Sequence, residues 1–369
     1  MQVNKKYLPH TTNKRGLANR LLALVPIAGV FLLLVAACDT PQNTFVARSD
    51  STQRIYDIYI YVIWAAALVG AFVLIGMAYI LVKFRDRPGR KAQQIHGHTG
   101  LEITWTVVPI LILISIAIPT VLWVVQTQDE PDANVLEITA VGKQWWFEFQ
   151  YPGLGPDGSE LITANELHIP VGRQVSITLE SDNVIHSFWV PQLVGKTDMV
   201  PNRQNPLEKF TATEPGIYYG QCAEFCGSAH ALMRFRVHVD TTGGFDRWVE
   251  SMNSSEVTPA AGSVEALGKN VFELAGGCSG CHAINGTNAM GKIGPNLTLF
   301  GERNTLGAGI LDNNSKNLKQ WVSNVRDLKP VPEEGSGLMP TFHRGNPNTD
   351  LLTEAQIDQV VAYLQSLKR

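Results

Sequence analysis

The sequence predicts a multidomain chain: a transmembrane α-helical hairpin, then an all-β Greek-key domain, then an all-α domain. Three observations carry this prediction. Two apolar runs, at about 58–82 and 105–125, each reach the roughly 20 residues that a 30 Å hydrocarbon core requires. Between about 134 and 240, apolar and polar residues alternate with period two between Gly and Pro, the mark of half-buried strands. After residue 262 the texture becomes helical. Charged residues make up 17 % of the 369 positions, below the roughly one quarter usual for soluble proteins. The net charge of −3 offers no electrostatic footprint for nucleic acid, and five cysteines are too few for a disulfide-dense scaffold.

Residues 1–37 read as a lipoprotein-type signal peptide. Lys5, Lys6, Lys14, Arg15 and Arg20 precede an apolar run that ends in Ala36-Ala37-Cys38. The small residues before the cysteine resemble a bacterial lipobox, so cleavage would leave Cys38 as a lipidated N-terminus. The alternative is an uncleaved transmembrane helix with an incidental cysteine.

Residues 38–126 form the expected hairpin. Lys83, Arg85, Arg87, Arg90 and Lys91, opposed only by Asp86, make its connecting loop cytoplasmic by the positive-inside rule. The remainder then faces the periplasm or cell exterior, which agrees with the export signal.

The β domain is expected over 127–250. Residues 135–141, 174–179 and 234–239 alternate cleanly, and no run of 10–15 helical residues separates them, which argues against a βαβ sheet. This stretch holds 8 Lys+Arg against 17 Asp+Glu, a net of −9. That acidity could steer a cationic partner or simply keep the domain soluble. Residues 251–262 read as a flexible linker. In the last domain, 263–369, Ser263 can cap a helix to about Ala275. Thr353 with Gln356 forms a capping box for a helix through about Leu367.

Two motifs carry chemistry. Cys278-Ser279-Gly280-Cys281-His282 is the C-x-x-C-H attachment signature of c-type haem. The thiols would form thioethers and His282 would ligate iron; a redox C-x-x-C is the alternative, though its usual βαβ context is missing. Met290, Met339 and His343 are the candidates for the sixth ligand. Met290 is close in sequence to His282, and Met339 sits in a loop stiffened by Pro340, so Met339 is favoured.

The second motif runs from Cys222 to Met233. Cys222, Cys226, His230 and Met233 supply two thiolates, an imidazole and a thioether within twelve residues. Soft sulfur with imidazole selects copper, zinc or iron–sulfur, and the thioether points to copper. Two bridging thiolates could hold two copper ions close together. His186, at the end of an apparent strand, is the best second imidazole. A disulfide is the alternative in an oxidising compartment, but it leaves His230 and Met233 without a task.

This second string resembles the dinuclear CuA site of cytochrome c oxidase subunit II, over about residues 50–245. That resemblance implies a cupredoxin-like β domain. Residues 263–369 resemble a class I cytochrome c: Gly294-Pro295-Asn296-Leu297 is similar to the loop whose proline carbonyl orients the haem histidine, and Gly268, Phe272 and Tyr363 to that family's helix crossing. Together the chain resembles the fused subunit II of a caa-type oxidase. The resemblance implies CuA ligands His186, Cys222, the Glu224 backbone carbonyl, Cys226, His230 and Met233. It implies a Glu224 side chain shared with subunit I around Mg²⁺. It places electron input at Trp145 within Gln144-Trp145-Trp146-Phe147, a stretch that otherwise reads as a strand with aromatic core residues. It sets Glu102 at the mouth of a proton path, where an ordinary interfacial residue would also fit. Asn183 stands where the family often carries an acidic residue.

The expected function is therefore that of the electron-input subunit of a proton-pumping haem-copper oxidase. Oxidase subunits I and III would be its partners, with a cytochrome c or a quinol:cytochrome c reductase as donor. A membrane-anchored copper-delivery lipoprotein with a C-x-x-x-C site is the alternative. Its thioredoxin-like fold would require βαβ units.

Overall fold

The computed structural model describes residues 40–89, 91, 94, 96–126, 131–254, 258–329, 339–343, 345 and 350–369. The expected signal peptide and Cys38 lie outside them. Helix α1 (Asp50–Lys83) opens on a capping box, in which the Ser49 hydroxyl accepts from the Thr52 N–H and the Thr52 hydroxyl from the Ser49 N–H. It is joined to α2 (Thr99–Gln126) by hydroxyls of Tyr61 and Ser115 at 2.8 Å. Both helices outrun the expected spans. The first turn of α1 is polar and fastened to the β domain: Thr52 donates to the Gln192 carbonyl at 2.9 Å, and the Thr211 N–H donates to Asp50 at 2.7 Å. Pro109 and Pro119 lie inside α2, a placement that neighbouring helices make tolerable in membranes. Glu102 sits in its first turn.

The strands in chain order are β1 (Leu136–Lys143), β2 (Trp146–Tyr151), β3 (Leu161–Ala164), β4 (Glu166–Pro170), β5 (Gln174–Ser181) and β6 (His186–Val190), followed by β7 (Val194–Met199), β8 (Asn205–Pro206), β9 (Phe210–Thr211), β10 (Gly216–Cys222) and β11 (Arg234–Asp240). One sheet has the order β3-β2-β1-β5-β8, with β9 also on β5. The other has the order β4-β11-β10-β6-β7. The pairs β1–β5 and β4–β11 are parallel and the others antiparallel. Inward residues of the alternating strands meet as a buried aromatic cluster of Phe147, Phe149, Phe188 and Phe235, with the Phe147 and Phe235 rings 4.7 Å apart. Among the described residues no α-helix lies between β1 and β11, so the βαβ units of a thioredoxin-like carrier are not found there.

Helix α3 (Thr242–Asn253) follows and buries Phe245 and Met252 in the same core. It runs three residues into the expected linker, because Met252 is anchored rather than free. That leaves 254–262 of the expected linker outside the helix.

The last domain begins with α4 (Val264–Asn270), capped by Ser263, whose hydroxyl accepts from the Ala266 N–H at 3.1 Å. The chain continues through a wider turn (Val271–Ala275) to the cysteine motif. Helix α5 (Ser315–Ser323) and helix α6 (Glu354–Ser366) complete the helical frame, α6 opening on the Thr353/Gln356 capping box. The α4–α6 crossing is close: a Cβ at Gly268 would sit 1.9 Å from the Gln359 carbonyl oxygen, so only glycine fits. The Phe272 and Tyr363 rings pack edge-on at 5.8 Å beside it. A small hairpin, β12 (Thr305–Leu306) and β13 (Leu311–Asp312), has no counterpart in the sequence reading.

Candidate functional site

Three segments converge on the first cluster. His186 opens β6, Cys222 closes β10, and Met233 directly precedes β11. Pairing of Cys222 with Phe188, together with bonds from Ala223 N–H to the Ser187 carbonyl and from Cys222 N–H to the Met233 carbonyl, fixes the segments to one another. The two sulfurs of Cys222 and Cys226 are 3.8 Å apart, far beyond the roughly 2.05 Å of a disulfide, and both thiols are free. Nδ1 of His186 lies 3.9 Å from the Cys222 sulfur, and Nδ1 of His230 lies 3.6 Å from the Cys226 sulfur. The Met233 thioether is 3.9 Å from Cys226, and the Glu224 carbonyl oxygen is 3.3 Å from Cys222. His186, Cys222, Cys226 and Met233 are all buried.

This set fits a dinuclear soft-metal centre. Two sulfurs at bridging separation are flanked by one imidazole nitrogen each, with the thioether and the carbonyl at the margin. Without metal the pair shares protons: a hydrogen bond from Cys226 holds the Cys222 thiol low, while Cys222 and burial push Cys226 up. Copper would displace the remaining proton, since thiolate is the ligand form.

Two features around the cluster orient His186. Its Nε2 meets the Asn183 side-chain oxygen at 3.1 Å, an outer-shell bond that fixes ring orientation. Gly142 on β1 leaves room for the ring; a Cβ there would stand 2.8 Å from its Cδ2.

The second cluster surrounds a cavity of about 340 Å³ in the last domain. Cys278, Cys281 and His282 line it, along with apolar side chains that include Phe272, Leu297 and Phe342. His282 Nδ1 bonds to the Pro295 carbonyl at 2.8 Å, which fixes the tautomer and leaves Nε2 as the ligand atom. Burial holds this imidazole below its ordinary range and lifts the Cys278 thiol to about 11. Met339 lines the same cavity. Met290 is 77 % exposed, and His343 Nδ1 pairs with Asp350 at 2.9 Å, so of the three ligand candidates Met339 faces the cavity. Its apolar walls, paired thiols and oriented imidazole suit a covalently held haem.

The two clusters share a wall. Gln144, Trp145 and Trp146 line the haem cavity from the β domain. The Trp145 Nε1–H donates to the Cys226 carbonyl at 3.0 Å, and the Gln144 amide donates to the same oxygen at 2.7 Å. Trp145 is 5 % exposed and packs into the β-domain core. Lys329, Glu166 and Asn183 hold places around these centres that the sequence reading did not assign to them.

A third donor group, Glu166, His168 and His238, brings ligand atoms within 4.8 Å of one another. Its imidazoles stack nearly parallel at 4.4 Å, so their in-plane lone pairs run side by side instead of converging. His168 also bonds Asp240 at 2.8 Å. This group serves packing.

Known proteins resemble this chain along most of its length. Family models match residues 39–122 as the transmembrane domain of cytochrome c oxidase subunit II, 136–239 as its periplasmic domain and 265–368 as cytochrome c. A cytochrome c oxidase subunit 2 from Alkalihalophilus pseudofirmus is 38 % identical over 87 % of this chain and 89 % of its own length. One from Bacillus sp. (strain PS3) is 33 % identical over 96 % of this chain and 99 % of its own. The solved periplasmic domain of subunit II from Bradyrhizobium japonicum is 32 % identical over 33 % of this chain and 94 % of that domain, with a TM-score of 0.30.

Proposed function

Because the chain belongs to the cytochrome c oxidase subunit II family, we propose that it is the electron-input subunit of a haem-copper terminal oxidase in the bacterial inner membrane. In this reading the periplasmic mass delivers electrons from an external donor to subunit I, where O₂ is reduced and protons are pumped. The donor is a cytochrome c or a quinol:cytochrome c reductase, and subunit III completes the complex.

His186, Cys222, Cys226, His230, Met233 and the Glu224 carbonyl would hold two copper ions. Cys278 and Cys281 would bond haem c, with His282 and Met339 as axial ligands. Each group, when bound, takes up and releases one electron, and His/Met ligation raises the potential of the haem. The chain's own work is to hold these centres close and dry. Pro295 sets the His282 ring, Asn183 sets the His186 ring, and Trp145 spans the space between the two ligand sets. The Glu224 carboxylate, partly exposed beside the copper loop, would reach Mg²⁺ at the subunit I boundary, since hard Mg²⁺ takes carboxylate and water. Glu102 would stand at the cytoplasmic mouth of a proton path. Cys38, cleaved and lipidated, would add a membrane anchor to the two helices.

The single observation that carries this reading is the position of Trp145, bonded to the Cys226 carbonyl and lining the cavity of Cys278, Cys281 and His282. The test is an optical and stopped-flow study of the purified oxidase. A c-type haem band together with a near-infrared dicopper band is expected, with the haem reduced by the physiological donor before the copper. Copper reduced ahead of the haem would make the haem a side branch and overturn the order.

A further inference from the structure

A haem domain on a free tether would exchange polar contacts with water, but here it is bolted to the β domain. The Arg234 N–H donates to the Ala308 carbonyl at 3.0 Å, Arg236 donates to the Gly309 carbonyl at 3.2 Å, and the Asn304 N–H donates to the Glu166 carboxylate at 3.1 Å. Leu299 of the last domain is buried in the β-domain core. One contact differs in kind. Lys329 is only 2 % exposed, and its ammonium donates to the Trp145 carbonyl at 2.5 Å. Among the described residues no carboxylate pairs with it. Lysine is almost never fully buried without a partner, because desolvating an ammonium is costly. Burial lowers this one to about 7.

The placement gives that cost a purpose. Lys329 and Trp145 both line the haem cavity. Trp145 is then held at two ends: its backbone oxygen by the haem domain, its indole N–H by the Cys226 carbonyl of the copper loop. We propose that Lys329 is a positioning residue that clamps the haem domain onto β1–β2 and holds the Trp145 indole between the haem cavity and the copper-ligand loop. The proposal rests on the electron-input reading for its purpose, though the clamp itself is a statement about two domains and can be tested apart from it.

The experiment compares the assembled oxidase with its Lys329→Met, Lys329→Gln and Lys329→Arg forms by hydrogen exchange and by rapid internal electron transfer. Loss of this donor, which leaves the Trp145 carbonyl without its buried partner, is worth roughly tenfold in the docked equilibrium. Exchange across residues 143–149 and 304–310 should therefore quicken about tenfold in Lys329→Met, and haem-to-dicopper transfer should slow by a similar factor. Both optical spectra and dicopper reduction by a small artificial donor should stay as in wild type. Lys329→Arg should recover most of the protection, because a guanidinium can also donate to a carbonyl. Lys329→Gln decides the matter if Lys329→Met fails to assemble. Unchanged protection at 143–149 overturns the clamp, as does a change confined to the haem spectrum, which would assign Lys329 to the haem alone. If wild type shows no haem-to-copper transfer, the electron-input reading fails while the exchange result still decides the clamp.

Discussion

Gly142→Ala is the sharpest test of how the proposed copper ligands are held, because the perturbation is one methyl group. The new Cβ would lie 2.8 Å from Cδ2 of His186, 2.9 Å from its Cγ and 3.0 Å from its Cβ. Ordinary contact would need several tenths of an ångström more. His186 cannot yield outward, since it is fully buried and its Nε2 is tied to Asn183 at 3.1 Å. The ring must therefore rotate away from Cys222, or β1 must bend. Overpacking of this kind costs about 1–3 kcal/mol. A shift that disturbs the orientation of a ligating histidine costs roughly 10–100-fold in metal affinity. The measurement is copper per haem in purified protein during titration with a copper chelator, alongside the near-infrared band. Gly195→Ala is the control: its nearest new neighbour, Ile55, stands at an ordinary 3.7 Å. Haem content should be unchanged in both. If Gly142→Ala holds two coppers as tightly as the control with an unshifted band, His186 is not positioned as argued.

Other outcomes follow from the same geometry. Changing Cys222 or Cys226 to Ser should abolish the dicopper band yet leave covalent haem intact, because the ligand sets share no residue; retained copper spectra in both variants would reject the assignment. Met339→His should lower the haem potential, read by spectroelectrochemistry, while Met290→Leu should leave it unmoved, since Met290 is exposed. Burial, which desolvates the ring, holds His238 down to about 3, whereas an unfolded histidine binds its proton near 6.5. The unfolded state thus binds more protons between those values. His238 contributes full stability above about 6.5, and stability falls as pH drops toward 3 with a limiting slope of about 1.4 kcal/mol per pH unit. Urea midpoints between pH 4.5 and 7.5 should show this slope in wild type and a shallower one in His238→Gln; identical slopes would refute it.

What was legible in the sequence was what lies close together along the chain. C-x-x-C-H, the Cys222–Met233 string, the helix cap at Ser263, the capping box at Thr353, and the period-two strands each carry their signal within a dozen residues. His186 is legible only in company: the Cys222–Met233 string asks for a second imidazole, and the strand near Asn183 offers one, which the fold brings to 3.9 Å from the Cys222 sulfur. Composition alone marks 251–262 as a linker, and the Ser/Asn texture of 251–254 masks another pattern. Phe245, Trp248, Val249 and Met252 recur at helical spacing, and it is this face that α3 presses onto the β core. That spacing was available and pointed to a helix through Asn253.

The contacts between the β domain and the last domain were not legible, and the reason is physical. Lys329 and Trp145 are 184 residues apart, and neither sits in a motif that names the other. A buried lysine looks like any surface lysine in sequence, because burial is a property of the fold. The same holds for the hairpin turn at Ala308 and Gly309, whose carbonyls receive Arg234 and Arg236. Yet these contacts change the functional argument. A domain on a flexible tether visits its partner at an effective concentration, and an external donor could compete for the Trp145–Trp146 surface whenever it leaves. A domain held there through Lys329 on the Trp145 carbonyl leaves no such gap. In the proposed reading, input through the haem rests on this seating of the domain rather than on a kinetic preference.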